Sequence, residues 1–234
     1  MRNFIFIIAI WVSSCSSTPE KIKRSDTPET STIEFVSTDT SRVNQKNVVE
    51  ISDTDFIQLN TISSSFEYDF RYATENNFLK EKVYECQECL LRKEVAVALN
   101  QANLEFQDLG FTICLFDCYR PLDVQKKMWE IYPDGRYVAN PHKNGSIHNR
   151  GGAIDVTLID STGKQLDMGT DFDHFGKEAH HNYTELPHTV RANRAFLAET
   201  LEKHGFTRLN TEWWHYNFGS AKKYPLSNFP FECH

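Results

Sequence analysis

"NGSIHNRGGAIDVT", residues 144–157, sets a histidine and an aspartate seven residues apart, with paired glycines between them and an apolar, strand-like run behind them. If packing alone explained it, the stretch would be an ordinary turn entering a strand. Gly151 and Gly152 permit a tight backbone path, so His148 can sit on a loop folded back over the strand that carries Asp155. An imidazole and a carboxylate then converge from one short segment, and zinc accepts both. A catalytic zinc takes three protein ligands and a water, so a third ligand is needed, with a general base near it. A lone histidine beside a strand is ordinarily satisfied by backbone or water. A carboxylate inside an apolar strand is harder to explain without a partner, because burying it unpaired costs several kcal/mol.

The segment "EWWH", Glu212 to His215, offers both missing pieces: His215 as third ligand and Glu212 as base. The spacing carries a difficulty. The ring-rich run "WWHYNF" reads as a strand, and on a straight strand residues i and i+3 point to opposite faces. The segment must therefore be bulged, or Glu212 must lie just before the strand begins. Trp213, Trp214 and Tyr216 read as core or pocket wall. In "DCYRPLDVQ", Arg120 stands at the end of a predicted buried strand, where a permanently charged guanidinium either pairs with a structural carboxylate or faces a site.

Around these residues the periodicity predicts a modest set of elements. Val95, Leu99, Ala102, Phe106 and Leu109 recur at helical spacing over Glu94–Leu109, and Gly110 is a natural stop. Phe111–Phe116 and Ala153–Ile159 read as buried strands, and Trp213–Phe218 as an aromatic one. Pro121 sits where a first helical turn would begin, with a helix running to Trp129. A further helix spans Arg191–His204 and ends at Gly205. Neither a regular βαβ repeat nor a Gly-rich phosphate loop is present. The pattern predicts an α+β fold, a small mostly antiparallel sheet packed against helices.

The chain of 234 residues is long enough for one sizeable domain with its own core. A net charge of −7 without a basic run argues against nucleic acid as a partner. At the N-terminus, Arg2 precedes "FIFIIAIWV", and Ser13-Ser14 precede Cys15. Nine apolar residues are too few to span a hydrocarbon layer, which takes about 20. Residues 1–15 therefore read as a signal peptide. "VSSC" resembles a bacterial lipobox, which would lipidate Cys15 and tether the protein to a membrane. Ser16 carries no acidic retention signal, so the outer membrane or periplasm of a bacterial cell envelope is the expected address. Residues 16–52 are polar and rich in Ser, Thr, Glu and Lys, and read as a flexible tether, with a short strand an option at Ile33–Val36. The folded domain is expected over 53–234.

Five cysteines remain: Cys86, Cys89, Cys114, Cys118 and Cys233. Export places them where disulfides persist, so one or two bridges are expected, of undetermined connectivity, with one thiol left free or buried. The lone CxxC at Cys86–Cys89 has no second pair to complete a structural zinc site. His142, His174, His180, His181 and His188 read as surface or loop residues.

Taken together, "SIHNRGGAID" (Ser146–Asp155), "EWWH" (Glu212–His215) and "CYRP" (Cys118–Pro121) resemble the zinc D-alanyl-D-alanine dipeptidases, relatives of the D,D-carboxypeptidases and the hedgehog signalling domain. "FRYATENNF" (Phe70–Phe78) and "MGTDFD" (Met168–Asp173) extend the likeness over Asp55–Phe218, about 70% of the chain. The resemblance implies a hedgehog/D,D-peptidase-like fold holding one Zn2+ per chain. The implied ligands are His148, Asp155 and His215, with Glu212 as catalytic base and Arg120 stabilising the tetrahedral intermediate. It also implies that Asp173 holds the free amino group of a small peptide substrate and that Ser146 lies near its carboxylate. The lipoprotein signal and the extra cysteines depart from the family's cytoplasmic members. Two other readings stand beside this one. One is a zinc D,D- or L,D-carboxypeptidase or endopeptidase acting on peptidoglycan stems. The other is a non-enzymatic wall-binding lipoprotein, which the presence of Glu212 disfavours.

Overall fold

The computed structural model describes residues 51–233. The expected signal peptide, Cys15, the Ile33–Val36 strand and the tether as far as residue 50 lie outside the described residues. Within them the elements run β1 (Phe56–Gln58), β2 (Glu67–Tyr68), β3 (Leu90–Arg92), α1 (Lys93–Asp108), β4 (Phe111–Asp117), α2 (Leu122–Ile131), β5 (Ala153–Asp160), α3 (His188–Lys203), β6 (Phe206–Leu209) and β7 (Glu212–Phe218). No helix among the described residues is long and apolar enough to cross a membrane.

The fold is α+β, as its patterning predicts. Five strands form one sheet in the order β2-β4-β5-β7-β6, antiparallel except for the short parallel pairing of β2 with β4. β1 and β3 make a separate antiparallel pair. Helix α1 forms because Val95, Leu99, Ala102 and Phe106 fall on one stripe, and all four are fully buried. It packs on α3 and on β4, while α3 packs on β6. On β5 the period of two separates Ile154, Val156 and Leu158, which share one face, from Asp155 and Thr157 on the other. That alternation lifts the Asp155 carboxylate out of the apolar layer.

Pro121 caps α2 from an extended conformation (φ −53°, ψ 145°), so the helix opens one residue later than expected, at Leu122. Helix α3 opens three residues earlier, directly after Pro187, which caps it in the same way. β1, β2 and β3 are two or three residues long, too short for any periodicity to announce them.

Two irregularities prepare the site. On β4, Leu115 pairs with Val156 and Asp117 pairs with Asp155, so Phe116 is extra. In a regular ladder Phe116 would oppose Asp155; the bulge moves Asp117 there instead, onto the same row. On β7, the neighbours Arg208 and Leu209 of β6 pair with Tyr216 and Glu212, leaving three β7 residues without a partner on β6. Glu212 lies within β7, so of the two options that the Glu212/His215 spacing leaves, the bulge is the one present.

Among the described residues two disulfides form, Cys86–Cys233 and Cys89–Cys118, and Cys114 is left as a buried free thiol. Burial pushes that thiol up to about 12, so it stays protonated and inert.

Candidate metal centre and cleft

His148 lies on a one-turn 3-10 helix, His148–Arg150, that ends at Gly151 in a left-handed conformation (φ 72°). A side chain at Gly151 would collide with the Phe56 ring at 2.3 Å, and one at Gly152 with Ala221 Cβ at 2.2 Å. Gly151 is thus required twice, by backbone conformation and by close approach, and Gly152 by close approach. They let the turn fold back over β5, where Asp155 stands opposite His215 of β7.

The three side chains converge. Asp155 Oδ1 lies 3.0 Å from His215 Nδ1 and 3.4 Å from His148 Nε2, and the two ring nitrogens are 3.2 Å apart. All three residues are buried, and one donor atom from each lies within 4.8 Å of the others. The far nitrogen of each ring is already engaged. His148 Nδ1 bonds the Cys118 carbonyl at 2.6 Å, and His215 Nε2 bonds Asn217 Oδ1 at 3.0 Å. Each ring therefore donates outward and turns a lone pair inward, the arrangement in which outer partners fix the tautomer of metal-binding histidines. Two inward lone pairs and a carboxylate make a donor set that suits a divalent cation. Without one, the set gathers a proton. Although burial opposes it, the bond to Asp155 and that carboxylate's charge push His215 up to about 9. Asp155 is correspondingly held far below the usual carboxylate range, the neighbouring histidines outweighing its burial.

Glu212 sits beside this set, its Oε2 4.0 Å from His215 Nδ1. Burial raises its pKa above the ordinary glutamate value. Arg120 is buried in the same cleft with every bond directional. Nε and Nη2 donate to Asp117 Oδ2 at 3.1 and 2.5 Å, and Nη1 donates to Gln125 Oε1 at 2.9 Å. Both alternatives for Arg120 hold at once: it is paired with a buried carboxylate and it lines the cleft. Burial works against its charge, but Asp117 outweighs it and holds Arg120 well above its ordinary value. Asp117 also accepts the Tyr84 hydroxyl at 2.6 Å.

Asp173 reaches the cleft from the segment between β5 and α3, in a left-handed conformation (φ 60°). Its neighbour Phe172 is buried against Phe116, Trp214 and Tyr72, which turns Asp173 inward. The Tyr72 hydroxyl donates to both carboxylate oxygens, at 3.2 and 3.1 Å. Its deep setting, reinforced by the negative charge of Asp155, still pushes Asp173 well above the carboxylate range. Arg194, buried in α3, staples this segment by donating to the carbonyls of Met168, Glu178 and His180. Ser146 lines the cleft too, its Oγ accepting the His148 amide at 3.2 Å.

The cleft that these residues share is about 300 Å³, small enough to select a small ligand. All seven residues expected at the site are in it. Tyr72, Asn217, Asp117 and Gln125 carry no role in the sequence reading; only their pairing across the fold reveals them. Of the outlying histidines, His142, His174 and His188 are exposed as expected, His188 as the first residue of α3. His181 is half-buried, with its pKa pulled down to about 4 by burial and by Arg208 and Arg194.

An α+β sheet carrying a buried His-Asp-His set beside a half-buried glutamate defines a metallopeptidase. More narrowly, the chain belongs to the Peptidase M15 family, D-Ala-D-Ala dipeptidase, whose model matches residues 52–234. It is 34% identical over 180 residues to the D-alanyl-D-alanine dipeptidase of Escherichia coli (strain K12), covering 77% of this chain and 93% of that one. It is 30% identical over 196 residues to the D-alanyl-D-alanine dipeptidase of Enterococcus faecalis, covering 75% and 96%. Among solved structures, a vancomycin-resistance D,D-pentapeptidase in complex with Zn(II) aligns over 58% of this chain and 79% of its own, with 16% identity and a TM-score of 0.39.

Proposed function

We propose that this chain is a zinc-dependent dipeptidase that hydrolyses free D-Ala-D-Ala or similar free dipeptides in the bacterial cell envelope. The convergence of two inward-facing imidazole nitrogens and the Asp155 carboxylate, 3.0–3.4 Å apart, carries this reading. The preference for D-residues rests on family membership.

His148, Asp155 and His215 would hold the zinc. Bound there, zinc supplies a water ionised near neutral pH and a positive charge for the developing oxyanion. Glu212, with its raised pKa, takes a proton from the attacking water and passes it to the leaving amine. Arg120 spends three N–H groups on Asp117 and Gln125, which leaves two of its five for the oxyanion in fixed orientation. Asp173 receives the substrate's ammonium, and Ser146 lies toward its carboxylate. A dipeptide is measured from both ends in a cleft of about 300 Å³. An N-acylated peptide would cover the half-buried Asp173 without giving it a partner, a heavier penalty than a missing methyl group.

The address is part of the proposal: export on the 1–15 signal and a lipid anchor at Cys15. Two disulfides support an oxidising compartment. An enzyme there would act on dipeptides released by wall turnover. The test is D-Ala release by the purified, zinc-loaded protein from D-Ala-D-Ala and from N-acetyl-D-Ala-D-Ala in parallel. Cleavage of the free dipeptide alone is expected. Cleavage of the acetylated form would instead indicate a carboxypeptidase or endopeptidase, and zinc binding without cleavage of either a wall-binding protein. Recovery of the protein from the soluble cytoplasmic fraction of lysed cells would overturn the address.

A further inference from the structure

We propose that the Cys89–Cys118 disulfide is a positioning device for the metal centre: by fixing the segment after β4, it holds the carbonyl that orients His148, and so sets metal affinity. The inference rests on the reading that His148, Asp155 and His215 hold zinc.

The connection is short. Cys118 is the first residue beyond β4, and residues 118–121 belong to neither strand nor helix. This irregular stretch does three jobs at the turn that carries His148. The Cys118 carbonyl accepts from His148 Nδ1 at 2.6 Å, the Arg120 amide donates to the His148 carbonyl at 3.1 Å, and the Arg120 carbonyl accepts from Asn149 Nδ2 at 2.8 Å. On its other side, the stretch is held to β3 by one backbone hydrogen bond, Tyr119 to the Leu90 carbonyl at 3.0 Å, and by the Cys89–Cys118 bridge. Cys89 is itself anchored, its carbonyl accepting the Leu59 amide at 2.9 Å. Without the bridge, the stretch that orients His148 and carries Arg120 keeps a single backbone hydrogen bond to β3. Outer partners of this kind typically govern metal affinity or activity by 10- to 100-fold.

The second disulfide is a built-in control. Cys86–Cys233 links residues 147 apart in sequence, against 29 for Cys89–Cys118, so it restricts the unfolded chain more. Neither of its cysteines borders a metal-binding residue, and neither bonds the His148 turn. The two bridges therefore divide the work, one serving stability and the other also serving the metal.

Closing the bridge joins Sγ of Cys89 to Sγ of Cys118. Two protons and two electrons leave the thiols, and a disulfide oxidant takes them and becomes a dithiol. In a dithiol-buffered compartment the chain would carry the looser centre, and it would acquire full metal affinity only on reaching an oxidising one.

The experiment measures zinc dissociation constants by chelator competition, and the melting temperature of the metal-free protein. It compares the parent with C89A/C118A, with C89V/C118A (which refills the buried volume should the first variant fold poorly) and with C86A/C233A. Alanine and valine remove the thiols, which could bind zinc themselves. We expect loss of the Cys89–Cys118 bridge to weaken zinc binding about tenfold or more. Loss of Cys86–Cys233 should lower the melting temperature at least as far while leaving zinc binding within about twofold of the parent. Unchanged zinc affinity in both Cys89–Cys118 variants, or equal losses in all three, would overturn the proposal. Zinc binding is read without substrate, so a failure to cleave dipeptides would count against the proposed reaction and leave this result intact.

Discussion

Nε2 of His148 and Nδ1 of His215 face each other at 3.2 Å, each on a ring whose other nitrogen is committed to an acceptor. Such a pair needs a cation between or beside its lone pairs. In the metal-free protein a proton serves, and His215 keeps it up to about pH 9. Zinc must displace that proton, so the apparent affinity should fall about tenfold for each pH unit from 8 down to 6. Calorimetry in buffers of different ionisation enthalpy should register about one proton released per zinc at neutral pH. A pH-independent affinity would mean that His215 is not a ligand.

The same proton stabilises the metal-free fold. A histidine whose pKa rises from about 6.5 unfolded to about 9 folded gives its full contribution below pH 6.5 and loses it as the pH climbs through 9. The contribution is on the order of 3 kcal/mol and belongs to the His215–Asp155 pair jointly. The metal-free protein should melt lower at pH 9 than at pH 6.5, and zinc should abolish or reverse that trend. The measurement is a thermal melt with and without chelator at both pH values.

Arg120 and Glu212 should separate cleanly. Glu212→Ala is expected to bind zinc and to be nearly inactive; loss of zinc would make Glu212 a ligand instead. Arg120→Ala should lower kcat by about 10² to 10³. It also strands the fully buried Asp117, so its melting temperature should drop, an effect that Glu212→Ala has no reason to share. Activity of Arg120→Ala equal to the parent's would remove Arg120 from the reaction.

Asp173 must be ionised to hold an ammonium, yet its surroundings push its pKa well up. KM for a free dipeptide should therefore rise on acidification while kcat follows a separate profile. Tyr72→Phe removes the hydroxyl that bonds both Asp173 oxygens, and should raise KM more than it lowers kcat. Asp173→Asn should cut the preference for free over N-acetylated dipeptide by at least about a hundredfold. An unaltered preference would place amine recognition elsewhere.

The metal set could be read from the linear chain because a close approach leaves marks there: two glycines that tolerate no side chain, and a carboxylate inside an apolar strand. The Glu212–His215 spacing narrows the segment to a bulge or a strand that begins after Glu212, and the structure takes the bulge. The supporting residues leave no such mark. Asp117 reaches the site row only because Phe116 is extra on β4, and nothing local in "FTICLFD" requires it. Tyr72 meets Asp173 across a separation of 101 residues, and the Cys89–Cys118 link was one of several possible pairings. The short strands β1, β2 and β3 owe their conformation to their neighbours, which no window of five residues contains.

Arg194 and its three carbonyl partners lead to one further conclusion. The residue proposed to read the amine end of the substrate rides on the stretch between β5 and α3, pinned from outside by a helix, whereas the donors of the metal centre belong to the sheet and the glycine turn. Recognition of the amine end and bond cleavage are thus carried by separable pieces of chain. Exchanging residues 168–180 for another segment that preserves the Arg194 clasp would give the same hydrolytic engine a different ruler, and so a different length of peptide to cut.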